Sequence, residues 1–100
     1  MNLVGMTLVN DFTSKHPESR AGLNSWVRIT TGAQWGSIAD VRKVYLHADA
    51  VDRCTVFNIS GNKYRLACRI DYAAETIRIT SVMTHAQYSK DKWKKDCQKT

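Results

Sequence analysis

The sequence has no apolar run long enough to cross a bilayer, no C-x-x-C pair, no internal repeat and only one proline. Each shortage excludes something. The opening stretch MNLVGMTLVNDF is apolar, but Asn10 and Asp11 interrupt it and no basic leader precedes it, so neither a membrane span nor a signal peptide is expected. Cys54, Cys68 and Cys97 are an odd number that does not close into a disulfide framework, and a reducing, cytoplasmic setting is the simpler expectation. His16, His47 and His85 are scattered among these cysteines without zinc-ligand spacing, so no metal and no cofactor are expected.

What remains is the composition of a folded protein. One hundred residues, 43% hydrophobic and 24% charged, suit a single domain over 1–100, with mobility expected only in the lysine-rich tail from about residue 90. The net charge of +6 is unevenly spread: residues 1–50 carry five Lys/Arg against four Asp/Glu, and residues 51–100 carry ten against five. A basic half fits a phosphate-bearing partner, although surface lysines that merely aid solubility would give the same total.

Periodicity divides the chain into a helical half and a strand half. Asn2 to Met6 reads as a short strand, and Thr7 as the cap of a helix to about His16, with Leu8 and Phe12 four apart on its inner face. Pro17 stops that helix and starts a second, to about Thr30, whose stripe is Leu23, Trp26 and Val27; Gly32 marks its end. Ser37 and Asp40 have cap spacing for a short third helix through about Lys43, and His47 to Asp52 reads as loop. From there the period is two, giving antiparallel strands at about Cys54–Ser60, Lys63–Tyr72 and Thr76–Met83.

Strand register decides which side chains share a face, and two registers compete in the central hairpin. A turn at Gly61–Asn62 sets Phe57 opposite Leu66, Ile59 opposite Tyr64 and Asn58 opposite Arg65. A three-residue loop sets Phe57 opposite Arg65 and mixes charge into the core, which is the worse solution. The first register directs Phe57, Ile59, Tyr64, Leu66, Cys68 and Ile70 toward the helical hairpin. It lines the opposite, open face with Asn58, Lys63, Arg65 and Arg69, and separates Cys54 from Cys68.

Thr84 to Gln87 has capping-box spacing, so a helical turn is expected to begin at His85, with His85, Tyr88 and Lys92 on one face. RNA can be cleaved by its own 2′-hydroxyl if a protein moves two protons and steadies charge on the phosphoryl oxygens. Histidine suits proton transfer near neutral pH. Arginine offers a permanently charged fork, and tyrosine can stack on a base or take part in proton transfer. Each residue also has a plainer role: His85 as a surface or cap residue, Tyr88 as rim packing, Arg65 and Lys63 as solvated charge. Trp93 is expected to pack the tail onto the domain, and Trp26 and Trp35 to belong to the core. One difficulty is parity, because a straight strand with Ile77 and Ile79 on the core side brings Thr84, not His85, to the open face.

Four segments together resemble the HigB-type toxins of the RelE/ParE superfamily: DFTSKHPESRAGLNSW at 11–26, QWGSIADVR at 34–42, VFNISGNKYRL at 56–66 and VMTHAQY at 82–88. The resemblance implies an α+β fold, a RelE-like, small twisted and mainly antiparallel sheet with two N-terminal helices packed on one face. It implies the toxin of a type II toxin-antitoxin pair, a metal-free, ribosome-dependent messenger-RNA endonuclease that blocks translation. It implies a HigA-type helix-turn-helix antitoxin as partner, with operator DNA reached only through that antitoxin. On this pattern Arg65 matches the phosphate-contacting arginine, and His85 and Tyr88 the proton-transfer positions, with Asn58, Lys63, Arg69 and Lys92 as further RNA contacts. The alternatives on the same scaffold are a ParE-like toxin that is no nuclease, and a non-catalytic RNA- or ribosome-binding protein.

Overall fold

The computed structural model describes residues 1–98, so Lys99 and Thr100, the end of the basic tail, lie outside the described residues. Five strands form one sheet: β1 Asn2–Val4, β2 Asp49–Val51, β3 Cys54–Ile59, β4 Tyr64–Asp71 and β5 Thr76–Thr84. Their spatial order is β1-β5-β4-β3-β2, with β1 parallel to β5 and every other pair antiparallel. The helices are α1 Met6–Lys15, α2 Arg20–Thr31, α3 Ile38–Val44, α4 His85–Ser89 and α5 Lys95–Gln98. Three-residue 3₁₀ turns at Pro17–Ser19 and Lys92–Lys94 introduce α2 and α5. The fold is α+β and mainly antiparallel, as expected of a RelE-like protein.

The main core lies between the sheet and the first three helices. Leu23 and Trp26 of α2 meet Phe57, Leu66 and Ile77 of the sheet, all five fully buried. Phe57 is their centre, with Trp26, Tyr45 and Trp35 ring centroids 5.5, 5.1 and 6.2 Å from its own. Such contacts add to simple area burial, so this one position ties α2, α3 and the loop between them to β3. Trp26 and Trp35 are core residues, as the sequence indicated. Two glycines set close approaches here. Gly5 takes φ +97° before α1, and a Cβ there would meet Ile79 O at 2.9 Å. Gly22 of α2 packs so tightly on the β3 end that a Cβ would lie 2.9 Å from Ile59 Cγ2 and against Ser60 Oγ.

The hairpin adopts the expected register, with Phe57 opposite Leu66, Asn58 opposite Arg65 and Ile59 opposite Tyr64. The left-handed residues of its loop are Ser60 and Gly61, rather than Gly61 and Asn62. Several expectations need correction. α1 starts at Met6 behind Gly5, not behind a Thr7 cap, because the glycine supplies the left-handed conformation that turns the strand into the helix. The stretch from His47 to Asp52 is not all loop, since Asp49–Val51 pairs with β3 as an edge strand. The three central strands are antiparallel as expected, and β1, whose direction the sequence left open, adds to β5 in parallel.

The opposite face of the sheet is not bare either. Cys54, Val56, Ala67 and Met83 form a second apolar cluster with Trp93 and Cys97 of the C-terminal segment, and Tyr88 packs at its border. Cys54 and Cys97 are joined by a disulfide (S–S 2.11 Å), so an odd cysteine count conceals one pair and one buried free thiol, Cys68. Burial pushes the Cys68 thiol well up, which keeps it a small neutral packing group. Cys54 and Cys68 do lie on opposite faces, Cys68 in the main cluster with the helices and Cys54 in the second cluster beneath the tail.

Candidate functional site

The site is assembled where the β3–β4 loop, the end of β5 and α4 meet. Parity is settled by a bulge. Between Ala67 and Cys68 the pairing of β4 with β5 shifts, so Ala67 faces Ser81 while Cys68 faces Ile79, and Thr80 is the extra residue. Ile77 and Ile79 therefore join the main core, whereas beyond the bulge Val82 takes that side and Met83 joins the opposite cluster. The Thr80 hydroxyl donates to Ala67 O at 3.0 Å and so fixes the extra residue in place.

A capping box then ends the strand and starts α4. Thr84 Oγ1 accepts from Gln87 N at 3.2 Å, and Gln87 Oε1 accepts from Thr84 N at 2.9 Å. His85 becomes the first helical residue, and its backbone N–H donates to Lys63 O at 3.1 Å, which staples α4 to the hairpin loop. The imidazole is exposed, with Nδ1 3.3 Å from Ser89 Oγ. That hydroxyl also donates to His85 O at 3.0 Å. In the tautomer with its proton on Nδ1, the imidazole donates to Ser89 Oγ and leaves Nε2 as an acceptor.

Arg65 and Tyr88 complete the group. The Arg65 guanidinium lies over the Tyr88 ring, 5.2 Å from its centroid, and the His85 ring is 6.5 Å from the same centroid. Tyr88 stacks on Trp93 at 5.2 Å, and Trp93 donates its indole N–H to Tyr88 O at 2.9 Å. Arg65 is not solvated charge: it is 8% exposed, donating to Tyr64 O at 3.1 Å and reaching Asn62 Oδ1 at 3.5 Å. Two nitrogens are so engaged, and the planar five-donor fork retains further N–H groups for a ligand.

The other expected contacts divide into near and far. Lys63 is exposed beside the His85 amide. Asn58 is half-buried and borders a small cavity of about 210 Å³ with Tyr45 and Leu46, away from α4. Arg69 lies further along β4, in a separate groove with Arg53 and Arg78. Lys92 does not share a helical face with His85 and Tyr88. α4 stops at Ser89, and Asp91 at φ 61° reverses the chain, so Lys92 opens the next turn and borders a cavity with Met83, Gln87 and Lys90.

The sequence reading missed Ser89 as the partner of His85, although its position four residues on was the available signal. It also gave Trp93 no part in supporting Tyr88. Trp93 is indeed buried at 6% exposure, but it carries the Tyr88 ring as well as the tail.

A search among curated proteins finds no match. A family model described as HigB_toxin, the RelE-like toxic component of a toxin-antitoxin system, matches residues 19–91. The matched span runs from the start of α2 through the hairpin, the bulge and α4, and so contains Arg65, His85 and Tyr88. The chain belongs to the HigB family of toxins, the RelE-like toxic halves of toxin-antitoxin systems, and has an antitoxin as its partner.

Proposed function

We propose that this toxin is a messenger-RNA endonuclease that cuts on the ribosome, using the RNA's own 2′-hydroxyl as nucleophile. The observation that carries the reading is the convergence of one imidazole, one phenol and one guanidinium within 6.5 Å of the Tyr88 ring centre, on the side of the sheet away from α1 and α2. In the reaction the 2′-oxygen bonds to phosphorus as the bond to the 5′-oxygen breaks, leaving a 2′,3′-cyclic phosphate and a 5′-hydroxyl. His85 Nε2 takes the 2′ proton, Tyr88 gives one to the departing 5′-oxygen, and Arg65 steadies the charge on the phosphoryl oxygens. Ser89 holds the imidazole in the required tautomer. None of these steps needs a metal ion.

The ribosome, the HigA-type helix-turn-helix antitoxin and action on operator DNA only through that antitoxin enter through family membership. A cytoplasmic setting follows from the same partners, and no helix among the described residues is long and apolar enough to cross a membrane. Lys63, exposed at the rim, is an RNA contact in this reading, as is Arg69 at a distance. Lys92 faces the cavity behind α4 and contacts RNA only as flanking charge.

The test is to map 5′ ends of messenger RNA after induction of the wild type and of His85→Ala, with translation running and with initiation blocked. Cleavage inside translated frames that needs both His85 and translation is expected. Intact messenger RNA with altered DNA supercoiling would replace the reading by a ParE-like one, and arrest of translation without cuts by a non-catalytic one.

A further inference from the structure

A second groove lies apart from the site at α4. It measures about 750 Å³ and is bordered by Arg53, Arg69 and Arg78, with Tyr72, Asp71 and Thr76 among its walls. The three arginines come from three elements, the β2–β3 turn, β4 and β5, and the fold brings them together for no internal reason. Arg69 and Arg78 are direct cross-strand partners. Like charges placed opposite each other in a sheet destabilise it. Among the described residues none of the three forms an ion pair. The carboxylate that lines the groove, Asp71, accepts from Ala74 N at 3.0 Å. Arg53 is held in place because its backbone N–H donates to Cys97 O at 3.1 Å, so the disulfide-linked segment positions it.

We propose that Arg53, Arg69 and Arg78 form a second phosphate-binding site that grips the phosphodiester backbone of RNA. Guanidinium forks match phosphate oxygens, and an arrangement that costs stability in the free protein is relieved when an anion sits between the charges. RNA is favoured over an acidic protein because the groove lies on the same side of the sheet as Arg65, about 13 Å along β4 at roughly 3.3 Å per residue. An RNA partner held at α4 is therefore within reach. Ala67, Trp93 and Cys97 stand between the two places, so the groove is a separate grip and not an extension of the cleavage pocket. The proposal rests on RNA as the partner in the reading above, but not on cleavage.

The experiment measures binding of the full chain to a labelled single-stranded RNA 20-mer, and separately to purified ribosomes, across a salt series. The variants are R53Q/R69Q/R78Q, Arg78→Gln alone, and K15Q/R20Q/R28Q as a control that removes equal charge from the helical side. The slope of log affinity against log salt is expected to shrink by about 2 for the groove triple, at roughly 0.7–0.9 per phosphate contact, with a smaller loss for Arg78→Gln. Loss on both probes assigns the grip to any backbone, and loss on ribosomes alone assigns it to ribosomal RNA; either supports the proposal. A slope equal to that of the control triple on both probes would overturn it, as would weakened antitoxin binding with unchanged RNA slopes. His85→Ala, measured in parallel, separates the two readings: it should lose cleavage with its slope intact.

Discussion

Arg65 makes the sharpest case for reading function from single side chains. Its charge is almost wholly enclosed, yet its contacts are a carbonyl, an amide oxygen and the Tyr88 ring rather than a carboxylate. A lysine keeps the charge but loses the fork, so Arg65→Lys is expected to lower cleavage nearly as far as alanine does, read by single-turnover kinetics on programmed ribosomes. Ser89→Ala should lower the cleavage rate by about tenfold, because the imidazole loses the partner that fixes its tautomer; loss of His85 should cost roughly 10²–10⁴. On the other side of the sheet Tyr64 donates to Glu18 Oε1 at 2.8 Å. A hydrogen bond from its own backbone amide and then the Tyr64 hydroxyl hold the Glu18 carboxyl below its ordinary value of 4.5, while the Glu18 contact raises Tyr64. The depressed acid stabilises the fold above pH 4.5 and stops doing so as pH falls through its lowered value; the raised phenol stabilises below pH 10 and stops above it. Urea midpoints followed from pH 5 to 2 should therefore fall less steeply for Glu18→Gln than for the wild type.

At the scale of elements, α4 is too short to persist alone and depends on its box and on the hairpin. Thr84→Ala should cost about 1 kcal/mol in denaturation and lower cleavage further than that loss explains, since the imidazole sits on the first turn. Gly22→Ala should destabilise by about 1–3 kcal/mol, measured by urea unfolding, because α2 must back away from Ile59 and Ser60. The central hairpin was legible because its two registers differ in where they put Phe57 and Arg65. Arg78 was not singled out: alternation between Ile77 and Ile79 gives its face, but its pairing with Arg69 depends on a register seen only in the fold. β2 was not legible, since three residues at a sheet edge show no alternation. Nor was the end of α4, where nothing but the left-handed Asp91 separates Tyr88 from Lys92 in direction. The Thr80 bulge lies in a run of polar residues, Thr80 and Ser81, that carries no sign of which one is extra.

For the molecule as a whole, one sheet serves two apolar clusters of unequal size, and the smaller one is tied down by a link between residues 43 apart. Closing a loop of that length restricts the unfolded chain by up to about 4 kcal/mol on the chain-entropy account. Cys97→Ser, or reduction, should lower unfolding stability by about 2–4 kcal/mol in urea titration and loosen Trp93 from Tyr88, read as a rise in indole exposure. In a reducing compartment the same residues stand as neighbouring buried thiols, and the segment keeps the Trp93 packing and the Arg53 hydrogen bond to Cys97 O. The bulge sets a second condition of a different kind. Remove any one residue between Ile79 and Val82, and every later side chain of that strand changes sides: Met83 would turn toward Leu66 and Trp26, and the imidazole would follow it inward. Which surface of this toxin meets RNA is thus a matter of counting, odd or even, before it is a matter of chemistry.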